Sequence, residues 1–314
     1  MISNRQSGVE KRFIFSLILT LLIFFGEVVG GLVTGSLALL SDSAHVFMDI
    51  FALGLSFFAL RFSTRPADDR HTYGWHRLEV LAALANGLTL LVISIGIGWE
   101  AYLRFQSPEP IRGPLMLAIA VLGLLVNLVV AFVLGGHRHG EKAPVHKDLN
   151  LQSAFLHVVG DAVSSVGVIA AAIIISRTGA LWVDPLASAL IAVLILVSSI
   201  RVLKSSLHIL VEGTPEGLSL MDVERTMRDS PEVASVHDLH VWNLCSEHIA
   251  LSAHVVLKET HPDTEVTIMQ DLRNRLDDKF EIRHTTIQFE ETACGEADGC
   301  NGTVAHLEHS QVVE

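Results

Sequence analysis

Six long apolar runs separated by polar connections fill the first two thirds of the chain, and a shorter alternating pattern follows them. The runs cover residues 13–33, 36–60, 78–102, 115–134, 151–176 and 181–203. Each is near the ~20 residues that an α-helix needs to cross the hydrocarbon core of a bilayer, so the pattern predicts six transmembrane helices. The first run is too long for the apolar core of a cleaved signal, and no small-residue cleavage pattern follows it, so it counts as a span. Basic residues set the orientation. Arg5, Lys11 and Arg12 precede the first run, Arg61, Arg65, Arg70 and Arg77 flank the second connection, and Arg138, Lys142 and Lys147 lie in the fourth. Only Arg104, Arg112 and Arg177 fall on the opposite side. Positive charge favours the cytoplasm, which places both termini inside.

After residue 212 the period changes. A helix is expected over 220–229, strands over 234–244 and 249–257, a second helix over 264–280 and a last strand over 282–290. In the first strand, alternation turns His237, Leu239 and Val241 to one face and Asp238, His240 and Trp242 to the other. Pro215, Pro231 and Pro262 punctuate the segment where turns or helix starts are needed. The expected architecture is a helical membrane protein: a six-helix transmembrane bundle over 13–212, then a cytoplasmic ferredoxin-like αββαβ domain over 213–291. A short cytoplasmic segment, 1–12, precedes the bundle, and a loose tail, 292–314, ends the chain.

Composition sharpens this picture. The 314 residues are 50% hydrophobic with a net charge of −12, too apolar for an ordinary soluble domain. From Gly213 onward there are 7 basic and 20 acidic side chains. So acidic a terminal half argues against a nucleic-acid partner and concentrates cations around itself. Cys245, Cys294 and Cys300 form an odd set within that half, which disfavours a disulfide framework and fits a reducing compartment.

The candidate chemistry lies inside the apolar runs. His45 precedes Asp49 by one helical turn in the second run, and His157 precedes Asp161 likewise in the fifth. Residues at i and i+4 share a helix face, so each pair aims an imidazole nitrogen and a carboxylate oxygen in one direction. An aspartate at the bilayer centre costs about 2.5–3.5 kcal/mol on the insertion scale. A divalent metal repays that cost, because two histidines and two aspartates supply the four tetrahedral ligands that zinc takes. Two carboxylates balance Zn²⁺, and two protons balance them when the metal has left, so metal and protons compete for one site. One alternative makes these residues interhelical hydrogen-bonding groups. Another is a membrane haem-binding electron carrier held by two axial histidines, although an aspartate beside each histidine suits a hard cation better. The H-E-x-x-H helix of a metalloprotease and the phosphate-binding loop of an ATP-driven pump are absent from the sequence.

Several segments together carry a resemblance. SLALLSDSAHVFMD in the second run, PADDRHTYGWHRLEVLAALANG after it, HVVGDAVSSVGVI in the fifth, WVDP opening the sixth, and HDLHVWNL with TTIQFE in the terminal domain are similar to the cation diffusion facilitator family. Within it the chain most resembles the bacterial cobalt-zinc-cadmium efflux branch. The likeness runs from about Phe13 to Glu291 and rests on the order of motifs. It implies a homodimeric antiporter in the bacterial inner membrane that exports Zn²⁺, with Co²⁺ and Cd²⁺ as further substrates, in exchange for protons. The resemblance further implies a secondary transporter and not an enzyme, with no organic cofactor. In that family the transport site occupies the positions of His45, Asp49, His157 and Asp161. Histidine at the first position resembles the zinc-preferring members, and a nitrogen donor there favours zinc on ligand chemistry as well.

Secondary candidates follow. Some members of the family hold a metal near the second connection, which here contains Asp68, Asp69, His71 and His76, with Trp75 where a histidine is expected. A plain solvated loop is the competing reading there, and also for His137, His139 and His146 in the fourth connection. In the terminal domain, His237, His254 and Glu290 match positions at which family members bind a zinc ion that here would be regulatory. His284 shares a strand face with Glu290 by parity. Cys294 and Cys300 follow closely with zinc-favouring thiolates; ordinary surface histidines are the alternative. Glu27, Asn86, Asn127 and Asp184 are expected to organise helix packing, Asp42 to lie near the exit path, and Gly26 with Gly30 to let a second helix approach.

Overall fold

The computed structural model describes residues 2–63, 65, 67–135, 164–245, 248–258 and 262–292. They fall into two compact units, Met1–Leu55 with Ala85–Val202, and Ser56–Leu84 with Leu203–Glu314. The second connection therefore clusters with the terminal domain.

The apolar part contains, among the described residues, the helices α1 (Ile2–Thr34), α2 (Leu37–Ser63), α3 (Arg77–Gln106), α4 (Gly113–Gly135), α5 (Ser164–Thr178) and α6 (Val183–Leu210). Among the described residues, α3, residues Gly113–Val130 of α4, and α6 are long and apolar enough to span a membrane. Helix α1 reaches back to Ile2, beyond the run that begins at Phe13, because Arg5, Gln6, Glu10 and Lys11 are good helix formers and polarity alone does not end a helix. It stops at Gly35, whose φ of 75° is the left-handed turn a C-terminal cap requires, with the Ser36 N–H donating back to the Gly31 carbonyl. Outward apolar side chains such as Leu22, Val92, Trp99, Leu190 and Val193 are more than half exposed, as expected of a surface whose solvent is lipid.

Inside the first unit, small residues and one carboxylate set the packing. A side chain at Gly30 would strike Ile119 of α4, whereas the space around Gly26 is open, so the close approach of α1 and α4 is made at Gly30 and not at the expected pair. Gly123 faces the carboxylate of the buried Glu27. Asp184, fully buried at the start of α6, accepts from Ser36 Oγ at 2.5 Å, from the Leu37 N–H at 2.8 Å and from the Ala38 N–H at 3.3 Å. It therefore caps α2 from another helix and satisfies donors that a helix start leaves unpaired. Arg104 donates to the Gly35 carbonyl and holds the same corner. Below it a core of Ala38, Leu39, Met116, Val168, Ala172 and Ile191 fills the bundle.

The terminal domain runs α7 (Leu220–Arg228), β1 (Val233–Cys245), β2 (His248–Leu257), α8 (Pro262–Phe280) and β3 (His284–Glu290), the expected αββαβ order. The sheet order is β1-β2-β3, antiparallel between β1 and β2 and parallel between β2 and β3. Val223 and Met227 of α7 and Ile268, Leu272 and Leu276 of α8 recur every four residues. They meet Leu239, Val241, Leu251 and Val255 in one core, so that among the described residues both helices pack on one face of the sheet. Ser219 caps α7 through its side chain.

Two expectations change here. The last strand starts at His284 and not at residue 282, because Glu281 takes φ 58° and the Ile282 N–H returns to the Leu276 carbonyl, ending α8 with Ile282 buried in the core. The alternation in β1 is also broken. The register shifts between His237 and His240, and Asp238 adopts φ 48°, a bulge at a residue type that tolerates the left-handed region. One extra residue reverses parity, so His237 lies opposite the face of Leu239 and Val241.

Candidate metal sites

The membrane candidate begins on α2. His45 and Asp49 are both half-buried there, one turn apart, and Asp42 lies on the same face three residues before His45. Asp42 is 4% exposed and accepts from Ser164 Oγ at 2.6 Å and from Ser165 Oγ at 3.4 Å, both at the described start of α5. The face of α2 that carries Asp42, His45 and Asp49 is thus turned toward α5. The two helices run in opposite directions. Arg112 donates to the Thr34 carbonyl, and Gly113 lies against Ser176, so the end of α5 and the start of α2 share one end of the unit. His157 and Asp161 lie outside the described residues, as do His137, His139 and His146.

On the sheet face opposite α7 and α8, three strands bring one residue each. His237 and His254 are cross-strand partners, with rings 5.3 Å apart and nearly perpendicular. Glu290 places Oε2 at 3.1 Å from His237 Nε2 and Oε1 at 2.9 Å from His254 Nδ1. Neither contact has hydrogen-bond geometry: His237 Nδ1 and Nε2 and His254 Nδ1 are buried without a hydrogen-bond partner among the described residues. Unsatisfied ring nitrogens around a carboxylate have the donor chemistry of a zinc site, as borderline-soft nitrogen with one oxygen. Asp238, delivered by the bulge, stands with Oδ2 at 3.9 Å from His254 Nε2 and Oδ1 at 3.1 Å from His240 Nε2. Regular alternation would place Asp238 on the face opposite His237, and the bulge brings it beside His254 instead. No local signal other than the aspartate itself marks the bulge.

The remaining candidates separate. His284 does share the face of Glu290, but six residues of strand put about 20 Å between them, and its ring stands edge-on to Tyr73. It does not join the His237 group. In the second connection the Asp68 carboxylate accepts from the backbone N–H groups of Arg70 and His71 at 2.8 and 2.7 Å and lies 3.1 Å from His71 Nδ1. Those two backbone donors, more than the imidazole, hold its carboxyl below the ordinary carboxylate range. Trp75 covers the His71 ring at 3.9 Å. Asp68 and His71 therefore serve one tight turn. His76 lies instead with Cys245 and His248, whose ligand atoms fall within 4.8 Å of one another. The spacing Cys-x-x-His across a strand turn was the readable signal for the last two. Cys294 and Cys300 lie outside the described residues.

Comparison with known proteins gives a consistent result over nearly the whole chain. Residues 13–211 match the cation efflux transmembrane domain and residues 215–292 the cation efflux protein cytoplasmic domain. The metal cation efflux system protein CzcD of Cupriavidus metallidurans is 42% identical over 295 residues, covering 94% of this chain and 91% of the relative. The zinc transporter ZitB of Escherichia coli is 41% identical over 308 residues, covering 97% and 95%. The cadmium, cobalt and zinc/H⁺-K⁺ antiporter of Bacillus subtilis is 39% identical over 295 residues, covering 92% of each. Among solved structures, the metal-bound C-terminal domain of the CzcD transporter from Cupriavidus metallidurans aligns to 23% of this chain and 99% of that domain at 42% identity, with a TM-score of 0.22.

Proposed function

This chain belongs to the cation efflux family, and from that premise we propose that it is a proton-coupled antiporter that exports Zn²⁺, with Co²⁺ and Cd²⁺ as further substrates. Its setting is the bacterial inner membrane, with both termini cytoplasmic and two copies forming the working unit. The transport ligands in this reading are His45 and Asp49 of α2 with His157 and Asp161.

The observation that carries the reading is the hydrogen bond from Ser164 to Asp42. Helical rise is about 1.5 Å per residue. From Asp42, His45 is about 4.5 Å further along α2 and Asp49 about 10.5 Å further. In the sequence Asp161 and His157 precede Ser164 by three and seven residues, the same intervals at which His45 and Asp49 follow Asp42. That matched spacing about the Ser164–Asp42 contact is what supports assigning the four residues to one site.

That arrangement has a charge consequence. Two carboxylates neutralise one divalent cation, and two protons replace it at nearly equal net charge, which an apolar interior requires. Directional transport follows only if the inward-open and outward-open states bind metal and protons with different affinities. The half-buried His237, His254 and Glu290 carry one carboxylate, leaving a bound dication with net positive charge at the sheet. We assign them a regulatory zinc rather than a place on the transport path. The electron-carrier alternative has no support among the family matches.

The test is zinc-driven proton flux in liposomes holding the purified protein. Zinc movement should acidify or alkalinise the lumen in proportion to metal moved, and zinc transport indifferent to a pH gradient overturns the antiport part. Metal binding without transport leaves a sensor in its place.

A further inference from the structure

A donor cluster apart from both sites lies within the second unit, where the residues leading into α3 meet the turn between β1 and β2. Cys245 and His248 are the last cross-strand pair of that ladder, and Cys245 Sγ lies 3.2 Å from His248 Nδ1. The ring of His76 stacks on that of His248 with centroids 4.7 Å apart and planes at 38°. Each of the three offers a ligand atom within 4.8 Å of the others. With Zn–S near 2.3 Å and Zn–N near 2.0–2.1 Å, sulfur and nitrogen ligands of a tetrahedral ion sit about 3.5 Å apart. The Cys245–His248 spacing already approaches that value, and the His76 donor lies within 4.8 Å of both.

We propose that His76, Cys245 and His248 form a third metal site, for a borderline-soft divalent ion such as Zn²⁺ or Cd²⁺. One sulfur and two imidazoles select such ions over Mg²⁺, Ca²⁺ or Mn²⁺, which prefer oxygen. Binding involves no redox change. The Cys245 thiol gives its proton to solvent as the metal–sulfur bond forms, and each neutral imidazole donates a lone pair.

The surroundings suit that role. Cys245 is 2% exposed, His76 half-buried and His248 exposed, so the thiol is shielded while one side stays open. A cavity of about 370 Å³ lined by Arg70, Tyr73, His76 and Leu244 adjoins it and supplies an entry path and room for a fourth, water ligand. The donor frame is fixed by backbone. His76 accepts from the Glu79 N–H in the first turn leading into α3, and Arg77 beside it pairs with Glu212 at 2.8 Å. An ion held here would cross-link the connection that follows α2 to the β1–β2 turn. The site goes beyond the transport reading and does not use its ligands.

The test uses the full chain with Cys294→Ser and Cys300→Ser, which leaves Cys245 as the one thiol of the three. Titration with Co²⁺ should raise a thiolate-to-cobalt charge-transfer band in the near ultraviolet, reversed by Cd²⁺. The band should vanish with Cys245→Ser, and His76→Gln and His248→Gln should each weaken binding read from it at least tenfold. The histidine variants carry the test should Cys245→Ser misfold. No band, or a band whose midpoint neither histidine variant moves, overturns the proposal and leaves a thiol hydrogen-bonded to an aromatic stack. The transport ligands contain no thiol, so their failure to bind leaves this readout unchanged.

Discussion

On α2, His45 and Asp49 stand one helical turn apart on a single element, whereas His237, His254 and Glu290 reach one another only because three strands pair in a particular register. Both regions join imidazole to carboxylate. They differ in charge balance and in the medium around them. A site in an apolar bundle needs its carboxylates neutralised by something, whether metal or protons, and that demand makes exchange possible. A site on a sheet face with one carboxylate and water nearby tolerates occupancy without exchange. On the reading proposed above, the same ligand types serve transport in one place and sensing in the other, and the dielectric surroundings are what would make the distinction.

The strongest way to break the comparison is to remove charge from the membrane set. Asp49→Ala and Asp161→Ala should each reduce zinc uptake into everted vesicles to the background of empty vesicles, because a divalent ion then faces a single carboxylate in an apolar interior. Uptake that persists in either variant removes the four-ligand reading.

Asp184→Ala comes next and probes scaffold instead of ligands. It strands Ser36 Oγ and the Leu37 and Ala38 N–H groups at the head of α2, at about 1–3 kcal/mol for each buried donor left unpaired. A large fall in melting temperature in detergent, with metal bound but poorly transported, is the expected result.

Glu290→Gln should act on the sheet alone. It removes the negative charge that lies against both histidines and leaves a weaker amide oxygen, so zinc counted by dialysis should fall, with affinity at that site lowered at least tenfold, about 1.4 kcal/mol. Uptake at saturating zinc should be retained within a few-fold. Equal loss of transport from Glu290→Gln and from Asp49→Ala would merge the two regions into one pathway.

The smallest effect is at Asp68. Its carboxyl sits below the ordinary value of 3.8 because the Arg70 and His71 N–H groups stabilise the charged form. The turn is therefore fully supported above that ordinary value and loses support as pH falls through the lower folded one. Amide shifts of Arg70 and His71 should move across that acidic range in the native chain and show no such titration in Asp68→Asn. Metal uptake near neutral pH should be unchanged by the substitution.

How much of this was legible in the chain varies with the range of the interaction. The α2 pair was readable because i and i+4 on a helix are neighbours whatever the helix packs against. His237, His254 and Glu290 were found through family likeness, since nothing local relates residues on three strands. Parity failed once in the sheet, where it put His237 on the face of Leu239 and the Asp238 bulge reverses it. It held for His284, which shares the face of Glu290, but the length of strand between them keeps the two apart. The grouping of Cys245 and His248 with His76 went unread because it joins segments far apart in sequence.

Sequence by itself determined the six apolar runs, the αββαβ order and the facing of His45 with Asp49, because periodicity and hydropathy act over one or two turns of chain. Tertiary structure decided that Asp184 caps α2, that Asp42 turns the ligand face toward α5, and which strand residues converge on Glu290. Those outcomes depend on register, bulges and helix contacts, which arise only when distant segments compete for the same space and the same hydrogen bonds.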